Sequence, residues 1–195
     1  MNILIETLPT AIEIDGIEYH INSDFRSCLR IILAFEDGSL AAFEKQMILL
    51  ENLYKDMPTN LEQAIKKGIK FLNGGKEEKT NAKLQPRLYS FEKDAPFIMA
   101  AFKQTHGIDL ETSDMHWWKF MTLFMDMGSD TTFSNLVSLR KRVKTGKATK
   151  EERAAAREIE DIFDLPEIDN RTLEEREIDN EFVERFKRGK ESRGK

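Results

Sequence analysis

The chain has 195 residues, 40% of them hydrophobic and 33% charged, with a net charge of −5. That length allows one sizeable core plus a tail, and the acidic balance argues against general nucleic-acid binding, which needs a basic surface for phosphates. A single cysteine, Cys28, excludes an internal disulfide, and no stretch approaches the roughly 18 apolar residues of a membrane span.

The first residues, MNILIETLPT, lack the basic start and long apolar run of a signal peptide, so a cytoplasm is the expected location. Asp15-Gly16 is a type I′ turn signal between two alternating runs. A two-residue loop pairs Ile14 with Ile17, Glu13 with Glu18 and Ile12 with Tyr19. One face is then Ile12, Ile14, Ile17 and Tyr19, which must dock on helices or pair with another strand, since an isolated hairpin is marginal. An open edge there offers pairing to a second chain.

Ser23 or Asp24 caps a helix carrying Phe25, Leu29, Ile32 and Leu33, and Asp37-Gly38 ends it. Ser39 opens the next, with Leu40, Phe43, Met47, Leu50 and Tyr54 inward and Ile48, Leu49 and Leu53 beside them. Thr59 and Glu62 form a capping box for a third helix bearing Leu61, Ala64, Ile65, Gly68, Ile69 and Leu72. A short loop makes the second and third helices antiparallel neighbours. Residues 76–86 are polar and aperiodic and read as a loop. Ser90 or Asp94 starts a fourth helix, and Pro96 favours Asp94 because proline is tolerated only in the free first turn. Gly107 stops that helix.

Residues 109–142 hold both tryptophans and the densest aromatic load in the chain. Trp117, Phe120, Met121 and Phe124 recur at helical spacing. Ser113 is the expected N-cap with Asp114 in the first turn, and Gly128 is the expected stop. A partner helix from Ser129 or Asp130 shows Phe133, Leu136 and Val137, so the two read as a helical hairpin. Trp118 points about a third of a turn away from the centre of the stripe, which lets it either fill the back of the core or serve as an exposed anchor for a partner, where tryptophan is over-represented.

Composition changes after Val143. Thr149 and Glu152 make a capping box for a helix running to Asp164, and Thr172 and Glu175 make another. The final segment places Ile178, Phe182 and Phe186 at spacing four, an apolar stripe its own segment offers little to bury. The expected architecture is mainly α: residues 1–166 form a helical domain with an N-terminal β-hairpin, and residues 167–195 a charged amphipathic tail.

No catalytic constellation stands out. There is no G-x-S-x-G, P-loop or G-x-G-x-x-G, and Cys28 lies in an apolar helix rather than a basic cleft. His106, Asp109, Glu111, Asp114 and His116 cluster in sequence, but carboxylates at a helix start are expected as caps, so neither a metal nor a cofactor is expected. A neutral His116 packing on an indole suits the first turn better than a cation. The basic run Arg140-Lys141-Arg142-Val143-Lys144, with Lys147 and Lys150, is the best nucleic-acid candidate. It is short and lacks interleaved aromatics, so a helix C-terminus carrying cations is the simpler reading.

Met115-His116-Trp117-Trp118-Lys119-Phe120 resembles the "gene product fifteen" family of phages and prophages of Gram-positive bacteria. The resemblance extends over about residues 8–166. It includes the Asp15-Gly16 hairpin, Phe91-x-x-Asp94-Ala95 with Ala100-Ala101-Phe102, Gly107-Ile108-Asp109-Leu110, and the Lys150-Glu151-Glu152 helix closing on Leu165-Pro166. The likeness is loose over residues 135–147, and Pro96 departs from it. What the resemblance implies is a non-catalytic role in building a long, flexible siphovirus tail. Its gene position is that of tail-assembly chaperones, which are thought to coat the aggregation-prone tape-measure protein in the host cytoplasm and to be absent from the virion. Trp118, Ile178, Phe182 and Phe186 are the expected contacts with the tape measure or with a second copy. The alternatives are a structural tail component and a small nucleic-acid-associated regulator using Arg140 to Lys150.

Overall fold

Asp15 and Gly16 both adopt positive φ, 51° and 79°, the left-handed pair that a type I′ turn demands. The turn joins β1 (Ala11–Ile14) to β2 (Ile17–His20), and the register is the expected one, with Ile12 opposite Tyr19 and Ile14 opposite Ile17. The computed structural model describes residues 2–76 and 86–166. Within them, eight helices follow the hairpin: α1 (Phe25–Glu36), α2 (Ala42–Leu53), α3 (Leu61–Leu72), α4 (Ala95–His106), α5 (Trp117–Met125), α6 (Thr132–Lys144), α7 (Lys150–Glu158) and α8 (Glu160–Phe163). The protein is mainly helical with one small hairpin.

The hairpin docks rather than standing free. Ile14 and Tyr19 are buried, and Tyr19 meets Tyr54 edge-on at 6.5 Å. Past β2, Ile21 bridges to Tyr54, where Asn22 N–H donates to the Leu53 carbonyl. Asp15 accepts from the side chains of Asn60 and Gln63, which ties the turn to the start of α3. Ile17 departs from expectation: it is 53% exposed, although Ile14, its partner across the turn, is buried.

α1 is capped by Asp24, which accepts from Arg26 N–H. Its buried face is Phe25, Cys28 and Ile31, rotated by roughly a quarter turn from the expected stripe, whose Leu29, Ile32 and Leu33 are half-buried. α2 does not start at Ser39. That side chain bonds Asp37, and the helix begins after Ala41, with Glu44 reaching back to the Ala41 N–H. Leu49, Leu50 and Leu53 face inward, while Phe43 is 69% exposed. The start of α3 is likewise Asn60, accepting from Gln63 N–H, and not Thr59. Its chemistry is as expected one residue later.

α2 and α3 are neighbours at close range. A Cβ on Gly68 would lie 2.9 Å from Leu49 Cδ2 and 3.0 Å from Leu53 Cδ2. Tyr54 O–H donates to the Ala64 carbonyl at 2.8 Å across the same seam. The expected loop at 76–86 falls mostly outside the described residues. α4 starts after Asp94 and holds Pro96 in its first turn, where no N–H is needed. Gly107, at φ 68°, closes it.

Phe120 on α5 is the centre of the core. Its ring stacks near-parallel on Phe25 and Phe102, both at 5.0 Å, and on Trp117 and Phe124 from its own helix. The expected helical hairpin of α5 and α6 is not formed side by side. α5 packs on α1 and α4, whereas α6 packs on α4 and α7. Phe124 and Phe133, 5.5 Å apart, link the two near their connection. α6 starts after Thr131, whose hydroxyl caps Ser134 N–H, and not at Ser129 or Asp130. The Thr149 and Glu152 capping box forms as expected, but the helix breaks at Ile159 into α7 and the single turn α8. The expected Thr172 and Glu175 box lies outside the described residues.

Candidate interaction site

The His-Trp-Trp box is a clamp on the end of another helix. His116, not Ser113, is the N-cap of α5: its Nδ1 accepts from Trp118 N–H at 3.0 Å. Its Nε2 lies 2.9 Å from the Pro9 carbonyl, an acceptor, so the two contacts together require the neutral ring with its proton on Nε2. The ring meets Trp118 edge-on at 6.1 Å, as the expected indole contact requires. Ser113 instead gives its carbonyl to Arg26.

The two indoles then cap α3. Trp117 Nε1 donates to the Leu72 carbonyl at 2.8 Å, and Trp118 Nε1 donates to Phe71 at 2.7 Å. These belong to the last turn of α3, where carbonyls have no helical partner. Trp117 is buried and Trp118 half-buried, stacked on Phe71 at 5.6 Å. Gly75, at φ 80°, lies under the Trp118 ring, and a Cβ there would sit 3.0 Å from it. The expected anchor Trp118 is thus placed on its own domain. The other three expected contacts, Ile178, Phe182 and Phe186, lie outside the described residues.

The basic run is divided among several tasks. Arg140 is 0% exposed and forms a two-pronged ion pair with Asp94, also 0% exposed, at 2.6 and 2.9 Å. Its remaining donors reach the carbonyls of Leu88, Ile162 and Phe163. All five N–H groups of the guanidinium are therefore engaged, and Asp94 also accepts from Ser90 N–H. Arg142 pairs with Glu152 at 2.8 Å, and Lys144 donates to the Arg87 carbonyl. The run does not present a continuous basic face, because its first member is inside the core.

Neighbouring cations hold the end of the described chain in the same way. Lys93 donates to the Asp164 carbonyl and Arg87 to the Pro166 carbonyl. With Arg140 on Ile162 and Phe163, four of the five carbonyls from 162 to 166 are held by basic side chains. Arg87 also pairs with Glu36, whose carboxyl is nonetheless raised above its usual range, chiefly by burial and further by Glu92. Burial pushes the Cys28 thiol up to about 12, with Asp24 adding to it.

The acidic and histidine cluster disperses. His106 contacts the Leu123 carbonyl, Asp109 pairs with Lys103, and Asp114 lies 4.0 Å from Arg26. Among the described residues no group of three His, Cys, Asp or Glu is placed to hold a metal ion. Arg26, which sequence reasoning passed over, pins the loop ahead of α5 through the carbonyls of Leu110, Glu111 and Ser113.

Several large apolar side chains remain outward. Phe43, Met57, Met99 and Met125 are exposed. A cleft of about 290 Å³ opens between α1 and α4 over Phe25, Leu29, Phe91, Ile98 and Phe120. Along α3, Ile65 and Ile69 are half-buried, with Lys66, Lys67, Lys70 and Lys76 near them. No described helix is long and apolar enough to cross a membrane.

These features define a helical domain whose buried polar groups fix its own loops and whose surface carries an apolar cleft and exposed apolar side chains. The chain belongs to the Bacteriophage Gp15 protein family, whose model matches residues 4–165. No curated protein and no solved structure shows a significant match to it.

Proposed function

We propose that this phage protein is a non-catalytic tail-assembly chaperone that binds the tape-measure protein, and that copies of it associate along that filament in the host cytoplasm. The observation that supports the reading is the division of labour in the described domain. Its buried polar side chains are engaged on its own backbone, while Phe43, Met57, Met99 and Met125 stay in solvent. Exposed methionine is flexible and polarizable and adapts to varied apolar partners. Family membership supplies the phage context.

The test is co-expression with the tape-measure protein of the same phage, read by solubility and co-purification. The reading expects a soluble tape measure that co-purifies with this chain. An insoluble tape measure with nothing bound overturns it. Mass spectrometry of purified virions addresses the alternative of a structural tail component, since a chaperone is expected to be absent from them. The nucleic-acid reading has less to stand on, because burial of Arg140 interrupts the basic run.

A further inference from the structure

We infer that the apolar cleft between α1 and α4 receives Ile3, Leu4 and Ile5 of a second copy, so that two chains exchange these residues in a closed dimer. The donor is a run of three large aliphatic side chains, 49%, 89% and 81% exposed. Leu4 and Ile5 are the most exposed large hydrophobics among the described residues. A hydrogen-bonded turn presents them. Leu4 N–H donates to the Asn2 side chain, Ile5 and Glu6 N–H donate to the Asn2 carbonyl, and Asn2 N–H reaches the Glu6 carboxylate. Three consecutive apolar side chains in water are a fault unless they serve a contact.

The acceptor is walled by two helices. Phe25 and Leu29 line it from α1, Ala95, Ile98 and Met99 from α4, and the buried Phe120 from α5. Its volume of about 290 Å³ has room for roughly two groups of benzene size, since a cavity of about 150 Å³ takes one. The one cation of the lining, Arg26, is already engaged on the carbonyls of Leu110, Glu111 and Ser113. An uncharged, aliphatic occupant therefore suits the cleft, and the donor run supplies one.

Donor and acceptor both gather at the start of α1. The Pro9 carbonyl, just past the donor turn, lies 2.9 Å from His116 Nε2, and His116 bridges to Asp24, the N-cap of α1. The cleft begins at Phe25 and Arg26, the next two residues. A donor and an acceptor placed together on one subunit make a self-complementary patch, which closes about a two-fold axis: each copy gives its turn and receives the other's. The exchange buries Ile3, Leu4 and Ile5 of both copies, an interface at the small end of those that hold specific complexes. The dimer is therefore expected to form reversibly.

The inference goes beyond the tape-measure reading, and that protein is left out of its test so that the two fail separately. Sedimentation velocity of the full chain is expected to show a monomer–dimer equilibrium and nothing larger. Leu4→Ser with Ile5→Ser removes the donor, and Met99→Glu places a carboxylate at the acceptor. All three positions are exposed, so melts of the dilute, monomeric chains are expected to be unchanged, while each variant weakens the dimer at least about tenfold. The decisive measurement mixes the two variants. Each supplies what the other lacks, so one of the two contacts is restored and a 1:1 dimer tighter than either variant's own is expected. A monomeric wild type, growth beyond a dimer, or variants that dimerise as the wild type does overturns the inference. So does a mixture no tighter than its components, because turn and cleft would then touch something other than each other.

Discussion

Arg140 and Asp94 form the most deeply enclosed ion pair among the described residues: both are 0% exposed, and the guanidinium meets both carboxylate oxygens, at 2.6 and 2.9 Å. Burying such a pair carries a large desolvation cost, which is offset only when every remaining donor is satisfied, as here. Removing one partner leaves an uncompensated charge in the core. Arg140→Met is therefore expected to cost about 3–5 kcal/mol in urea unfolding. Arg140→Lys is expected to be nearly as harmful, since a point charge cannot satisfy a forked site. A loss below about 1 kcal/mol would mean that water reaches Asp94.

Gly68 sets the spacing of α2 and α3. Alanine there gains up to about 1 kcal/mol of helix propensity, but its Cβ meets two leucine methyls at 2.9 and 3.0 Å. Both leucines are fully buried and have little room to move. Valine adds more volume without the propensity gain. Gly68→Val is expected to destabilise by about 1–3 kcal/mol through overpacking, with Gly68→Ala closer to neutral. Equal and small effects in both would show that the seam opens at no cost.

His116 performs two tasks that substitution separates. His116→Asn retains a side-chain acceptor for the Trp118 N–H but loses the Pro9 tether, whereas His116→Ala loses both. The cap alone is worth about 1 kcal/mol. Thermal melts are expected to rank wild type above Asn and Asn above Ala. An Asn variant as unstable as Ala would assign the whole effect to the tether.

Cys28 gives an alkaline dependence. Its thiol is held protonated in the fold, pushed to about 12 by burial first and Asp24 second, against an ordinary value of 9.0. A group raised in the folded state contributes fully below its unfolded value and loses that contribution as pH rises toward the folded one. Stability is expected to fall by at most about 1.4 kcal/mol per pH unit from this group above pH 9. Tyr54, raised by burial from 10.0, adds its own loss higher up. In Cys28→Ala the slope between pH 9 and 10 is expected to flatten; an unchanged slope would point to other groups. The native thiol is also expected to resist alkylation until the chain unfolds.

The local chemistry of the chain was largely legible. The Asp15-Gly16 turn fixed every pair of the hairpin, Pro96 chose Asp94 over Ser90, and the Thr149 box formed. Capping rules misplaced the start of α5 because they rank serine above histidine, while the contact that selects His116 comes from Pro9, 107 residues away. Phe43 fitted a stripe by spacing, and Leu50 two turns further along that stripe is buried, yet Phe43 lies in the first turn of α2 and is left exposed. Arg140 was readable in principle. With Phe133 and Leu136 it completes a buried stripe at i, i+3 and i+7, so its register was that of a core position. Its charge hid this, because an arginine in a basic run is expected in solvent.

The cations that grip the carbonyls from 162 to 166 also determine how the domain bears load. A pull on the chain beyond Pro166 is met first by Arg87 and Lys93 and then by the enclosed Arg140, before any helix of the core is drawn upon. Several charge-assisted bonds anchored in different segments share that tension, and the innermost is shielded from water. The domain is thus tethered from its interior, in the manner of a rope made fast below deck, and a pull on that end is resisted before it can unravel the fold.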